Sequence, residues 1–426
     1  MLEKFEKLTT EVKIICGMII ALFVVSIVLI VNGNNTSNKK NGKETVNLTV
    51  DEGMTNKEVE SQTEAETQGE KQKEASLDAK KDAEKLMKDM SLHDKICQMF
   101  IVSPEGLTGV STATVAGNTT KASIEKNPVG GIVYFQKNIN DRNQIKDMIA
   151  GTQKFAKEYN KIPLFACVDE EGGKVSRVAS ALDDVTKLDN MFSYKSKGTD
   201  TARSNAKTIA ESIADIGFNV DFAPVADTFS NSSNDVIGDR CYSDSYEECA
   251  SLISNAVKGF QDGDVLCTLK HFPGHGDATG DSHDGAAKSD KTLDELKKED
   301  LVPFVSGIKA GAPFVMVGHI TMTEVDNEMA SLSKSVITDT LKGELGYTGI
   351  VITDALDMGA ITSSYKSGEA AVKAVNAGAD MLLMPASLDD AVKGIEDAVK
   401  EGKISEDRIN ESVLKILTLK CDSLES

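Results

Sequence analysis

Eight short apolar runs, set apart by stretches of helical pattern, limit most tightly what this chain can fold into. They are Phe100–Val102, Gly131–Phe135, Leu164–Val168, Val220–Ala223, Val265–Leu269, Phe314–Val317, Gly349–Thr353 and Met381–Met384. Runs this short and this apolar read as strands buried on both faces. Between them the spacing predicts helices over Asn143–Lys157, Thr201–Ile216, Tyr246–Gln261 and Leu388–Glu401, with Glu406–Leu419 as the last. Leu293–Lys309 has the same pattern, and Pro303 is expected to break it in two. Strands alternating with helices imply a parallel sheet, and eight is the count of a (β/α)8 TIM-type barrel. A doubly wound open sheet alternates in the same way, and strand count alone separates the two weakly.

The placement of polar residues favours the barrel. Asp169 follows the third run, Lys270 and His271 end the fifth, His319 ends the sixth and Asp354 ends the seventh. In a barrel these C-terminal strand ends share one mouth, where enzymes of this shape keep their chemistry. The segment Lys270–Asp284, KHFPGHGDATGDSHD, holds three of the chain's five histidines: His271, His275 and His283. Pro273 and three glycines disfavour regular structure after Phe272. A metal site is one reading of the loop, but Pro273 and Gly274 keep His271 and His275 off a single helix face. A structural loop with satisfied histidines is the second. The third is an Asp281–His283 pair, with Asp281 orienting an imidazole that serves as general acid and then general base.

Other motifs carry their own alternatives. In VDEEGGKVSR, Asp169 can accept from two adjacent sugar hydroxyls and Arg177 can donate to another oxygen; alone, the motif reads as a surface turn. DFAPVAD and VIGDR bring Arg240 toward the mouth as a second guanidinium, or leave it in a surface loop. In VITDALDMG, Asp354 against cations such as Arg177 or Lys270 stays ionised, as the nucleophile of retaining glycoside hydrolysis must. Helix capping is the bland alternative, for which Asp357 is the better candidate.

A net charge of −20, from 67 acidic and 47 basic residues, argues against nucleic acid and against a basic membrane-docking face. Tryptophan is absent, so no indole platform stacks on a sugar. The seven cysteines form no CxxC pair, which points to buried thiols rather than disulfides or zinc, and nothing implies a metal or cofactor. Ile14 to Val31 is uncharged and, at about eighteen residues, just long enough to span a bilayer. A cleaved signal peptide is the rival, but no A-x-A pattern follows. The expected organisation is therefore a cytoplasmic tip and membrane anchor over residues 1–31, a disordered polar stalk over 32–76, and a single catalytic barrel over 77–426 held outside the cytoplasm at the cell membrane.

With these residues in hand, the chain resembles the family 3 glycoside hydrolases, and among them the bacterial single-barrel β-N-acetylglucosaminidases. VDEEGGKVSR, DFAPVAD with VIGDR, KHFPGHG with DSH, and VITDALDMGA carry the likeness, spanning Val168 to Ala360 in the family's order. The resemblance implies Asp354 as nucleophile and His283, paired with Asp281, as acid/base. It implies that Asp169, Arg177, Arg240, Lys270 and His271 bind the terminal sugar. It implies a monomeric exo-hydrolase removing β-linked N-acetylglucosamine, in cell-wall turnover. A β-glucosidase or phosphorolytic enzyme of the same fold, and a wall-binding protein with a decayed site, are the alternatives. Asn231–Asp235 and Cys241–Ser243 depart from the usual family wording, and Lys174 stands for a common arginine.

Overall fold

Phe100–Val102, Phe165–Val168 and Phe314–Val317 are buried along their whole length, as strands covered on both faces must be. In the computed structural model, which describes residues 77–280 and 287–424, they close with five others into a parallel barrel. Its strands are β1 (Phe100–Val102), β2 (Gly131–Val133), β3 (Phe165–Val168), β4 (Val220–Asp221), β5 (Leu266–Phe272), β6 (Phe314–Val317), β7 (Ile350–Ala355) and β8 (Met381–Leu383). Each pairs with its successor, and β1 returns to β8 through Phe100↔Leu382 and Ile101↔Leu383. That last pairing removes the open sheet from consideration.

Outside the strands lie α1 (Asn118–Lys126), α2 (Arg142–Asn160), α3 (Thr199–Ala214), α4 (Tyr246–Asp262), α5 (Leu301–Lys309), the π-type α6 (Ser335–Glu344), α7 (Ser367–Ala377), α8 (Leu388–Lys400) and α9 (Glu406–Ser423). Side-chain caps start several of them: Asp141 accepts from the Gln144 amide, Ser387 from Asp390 and Ser405 from Arg408. The stretch expected to break at Pro303 breaks earlier. Leu293–Lys298 ends at Glu299, and α5 begins at Leu301 with Pro303 inside its first turn. The first-turn amides have no partner within the helix, so a proline there costs no hydrogen bond.

The strands' N-terminal ends are closed by buried charge. Lys420 of α9 is fully buried, its ammonium 2.9 Å from Gln98 Oε1 and 4.9 Å from the Phe165 ring centre. Burial pushes that amine down to about 7. Asp380, just before β8, accepts from Lys342 at 3.0 Å and Ser412 at 2.8 Å, tying α6 and α9 to the barrel. The proposed anchor and stalk, residues 1–76, lie outside the described residues. Among the described residues no helix is long and apolar enough to cross a membrane.

Candidate active site

The fifth strand runs further than its apolar stretch, through Lys270 and His271 to Phe272. Both residues are therefore part of the barrel wall, not of the loop beyond it. The Lys270 ammonium is buried and lies 2.8 Å from Asp169 Oδ1 and 2.6 Å from Glu171 Oε1. Arg240 grips Glu171 from the other side with a two-pronged fork, Nε to Oε2 and Nη2 to Oε1 both at 2.8 Å, while Nη1 donates to the Val236 carbonyl at 2.9 Å. Burial would raise the Glu171 carboxyl, but Arg240 and Lys270 outweigh it and hold it well below the usual range. Burial would likewise lower Lys270, and Asp169 with Glu171 keeps it charged. The result is a fixed array of two carboxylates and two cations on one wall.

Asp354 stands within the C-terminal end of β7. One of its oxygens accepts from the Ala355 amide at 2.8 Å. Burial alone would push this carboxyl up; His271 and His319, then the Ala355 amide and Lys270, outweigh it and hold the group below the ordinary carboxylate range. His319, two residues past β6, is fixed between Ser331 Oγ at 2.7 Å and the Ala355 carbonyl at 2.8 Å, so it also anchors the backbone beside Asp354. The cations expected to keep Asp354 ionised were Arg177 and Lys270; the imidazoles dominate instead, because Lys270 is already committed to Asp169 and Glu171. Asp357 does not cap the following helix. Gly359–Thr362 has Met358 at its cap with no side-chain hydrogen bond, and Asp357 lines the cavity.

A cavity of about 430 Å³ opens between these groups. Asp169, Arg177, Arg240, Lys270, His271 and Asp354 all line it, so six of the eight residues singled out from the sequence converge on one space. Arg177 is brought there by a hairpin, Glu170–Gly172 against Val175–Ser176. The turn passes Gly173 at φ +60°, where an added Cβ would sit 1.7 Å from Asn190 Oδ1. Glu170 holds the hairpin's exit by accepting from the Val178 and Ala179 amides at 2.7 and 3.2 Å; burial pushes its carboxyl up to about 7. The Arg177 Nε is buried and, among the described residues, meets no acceptor. Asp281 and His283 lie outside the described residues. The neck of their loop is pinned by a reciprocal Thr279–Lys288 backbone pair at 3.0 and 2.9 Å, and by Ala287–Ser289 pairing in parallel with Ile320–Met322.

Four buried carboxylates of this region are not among the residues that the sequence singles out: Glu170, Glu171, Asp221 and Asp227. Glu171 is the centre of the ion array, whereas its neighbour Asp169 is the acid that directly follows the strand. Asp227 is visible as the close of DFAPVAD, but only the fold reveals that it reaches His271 of β5 and His275 just beyond it.

The geometry has counterparts. Residues 91–419 match the glycosyl hydrolase family 3 N terminal domain. A beta-hexosaminidase A of Pseudoalteromonas piscicida is 32% identical over 322 residues, covering 70% of this chain and 54% of that protein. A beta-hexosaminidase of Stenotrophomonas maltophilia (strain K279a) is 32% identical over 282 residues, 64% of this chain and 82% of that protein. The chain thus spans about half of the first relative's length and most of the second's. The solved structure of a glycoside hydrolase family 3 beta-N-acetylglucosaminidase from Paenibacillus sp. str. FPU-7 is similar with a TM-score of 0.74 at 35% identity, over 79% of this chain and 64% of that one. A match over most of the barrel, with the polar strand ends gathered at one mouth, leaves one family for it: the chain belongs to glycosyl hydrolase family 3.

Proposed function

We propose that this chain is an exo-acting, retaining β-N-acetylhexosaminidase that releases terminal β-linked N-acetylglucosamine. One observation carries the reading: an ionised carboxylate, Asp354, shares a cavity with a wall of fixed donors and acceptors. At about 430 Å³ the cavity is near the small end of ligand pockets, which run from roughly 300 to 1,000 Å³, and suits one sugar unit better than a continuous chain. The relatives named beta-hexosaminidase supply the N-acetyl specificity.

In this reading Asp169, Arg177, Arg240, Lys270 and His271 hold the terminal sugar by its hydroxyls and ring substituents. Asp354 attacks the anomeric carbon as His283, oriented by Asp281, protonates the departing glycosidic oxygen. A covalent glycosyl ester forms and the aglycone leaves. His283 then takes a proton from water, which attacks the same carbon from the vacated face and frees Asp354. Two displacements retain the β configuration. The Asp354 carboxylate acts most strongly as positive charge develops at the ring, because it is already fixed and ionised beside it.

We assign the source of the sugar to peptidoglycan-derived fragments, and the site of action to the outer side of the cell membrane, with Ile14 to Val31 as the single anchor. The uncharged run and the polar stretch after it support that assignment. Proton NMR of the product mixture tests the chemistry. A chromogenic N-acetyl-β-glucosaminide should yield the β anomer first, at a rate indifferent to added phosphate. The α anomer first, a glycosyl phosphate, or faster cleavage of the matching glucoside would overturn it.

A further inference from the structure

Asp227 takes no part in the mechanism above, yet it is fully buried and engages two histidines at once. It lies on the loop after β4, which is stitched to β5 by the Ala226 amide donating to the Lys270 carbonyl at 2.7 Å. One carboxylate oxygen, Oδ2, accepts from the His271 amide at 3.1 Å and from His271 Nδ1 at 2.7 Å. The other, Oδ1, accepts from the His275 amide at 2.6 Å. Burial would raise this carboxyl; His271 and His275 outweigh it and keep it ionised. An ionised carboxylate can only accept, so the hydrogen between it and the imidazole belongs to Nδ1 of His271. With Nδ1 spent on Asp227, the ring edge bearing Nε2 is the one His271 can present to the cavity it lines.

We infer that Asp227 is a positioning residue for the glycosidase site, fixing His271 in the Nδ1–H form so that Nε2 meets the sugar. A carboxylate behind an imidazole sets both the ring's orientation and the nitrogen that carries hydrogen. Neutral, His271 then accepts at Nε2 from a sugar hydroxyl; protonated, it donates there. In the opposite form Nε2 could never accept, and a hydroxyl would lose its partner. The same carboxylate holds the His275 backbone, whose carbonyl also accepts from Asn234 at 2.7 Å, so both histidines are referenced to one point behind the wall. The inference about hydrogen placement stands on the geometry alone; its consequence for catalysis rests on the function proposed above.

The full chain labelled with ¹⁵N-histidine provides the test, through two-bond ¹⁵N–¹H spectra assigned with a His271→Asn variant. His271 should carry hydrogen on Nδ1. In Asp227→Asn the amide can donate to Nδ1, and the ring should switch to Nε2–H. Cleavage of the chromogenic N-acetylglucosaminide should then lose about two orders of magnitude in kcat/KM, short of the roughly 10⁴-fold loss when the wrong tautomer disables a general base itself. An Nε2–H ring in the unaltered protein overturns the inference, even if Asp227→Asn fails to fold. So does an Asp227→Asn protein that keeps the Nδ1–H form, or one that switches form at undiminished kcat/KM. If the spectra behave as expected while no N-acetylglucosaminide is cleaved, the positioning role in the fold stands and the proposed function fails.

Discussion

Asp354 has one oxygen tied to the Ala355 amide, and among the described residues no hydrogen-bond donor meets the other. That arrangement suits the nucleophile role proposed for it. Replacement by Asn should cut kcat by more than about 10³-fold with little change in melting temperature, as chromogenic assay and thermal unfolding will report. The pH dependence follows from the direction of its shift. Because His271 and His319 outweigh burial and hold the carboxyl low, it remains ionised as pH falls through the ordinary carboxylate range. The acid limb of kcat/KM should therefore lie below that range, and a limb above it would remove Asp354 from the role. Glu171 is a different kind of residue. Its removal strands Arg240 and weakens the hold on Lys270, and breaking such a buried pair costs about 3–5 kcal/mol. Glu171→Ala should unfold at markedly lower denaturant than the parent protein. The contrast explains what was legible. Asp169, Lys270 and Asp354 betray themselves because charge at the end of an apolar run is costly without a purpose. Glu171 sits in a short polar hairpin and Asp227 in a loop, where acids are common, and only their burial distinguishes them.

At the scale of elements, seven of the eight apolar runs match their strands to within two residues, because continuous burial leaves a plain mark in composition. The fifth overshoots its run by three residues, through Lys270 to Phe272. Hydrophobic pattern cannot follow a strand into its own active site, where polar side chains replace apolar ones. The loop that follows is shaped by close approach. A Cβ on Gly276 would lie 1.8 Å from the Thr228 carbonyl oxygen, so Gly276→Ala must push apart the segments that carry His275 and Asp227. Overpacking of this kind costs about 1–3 kcal/mol, and activity should fall more steeply than stability. At the opposite end of the barrel, α9 inserts Lys420. Its folded-state pKa, lowered to about 7, is below the unfolded value, so the folded state binds fewer protons between about 7 and the ordinary lysine range. Stability from this group therefore rises with pH across that window and is lost as pH falls toward 7. Compared with Lys420→Met, the natural protein should gain in melting temperature between pH 7 and 10. A constant difference would show that the amine stays charged in the fold.

Taken whole, the molecule keeps buried ionisable groups at both ends of the barrel and the candidate site at one of them. Asp380 and Lys420 lie by the strands' N-terminal ends, while Asp169, Lys270 and Asp354 lie by their C-terminal ends. The barrel was legible from strand rhythm and from where the polar residues fell; its closure was not, since the β1–β8 pairing joins distant parts of the chain. With an anchor at Ile14 to Val31, the full chain should stay with membranes through high salt and alkaline carbonate and come away in detergent. Release by salt alone would contradict an anchor. The most direct test of the central claim is to trap the covalent intermediate with a fluorinated N-acetylglucosamine analogue and sequence the labelled peptide by mass spectrometry. The account predicts a single adduct on Asp354; an adduct on any other residue, or unlabelled protein that still turns over substrate with retention, would contradict it.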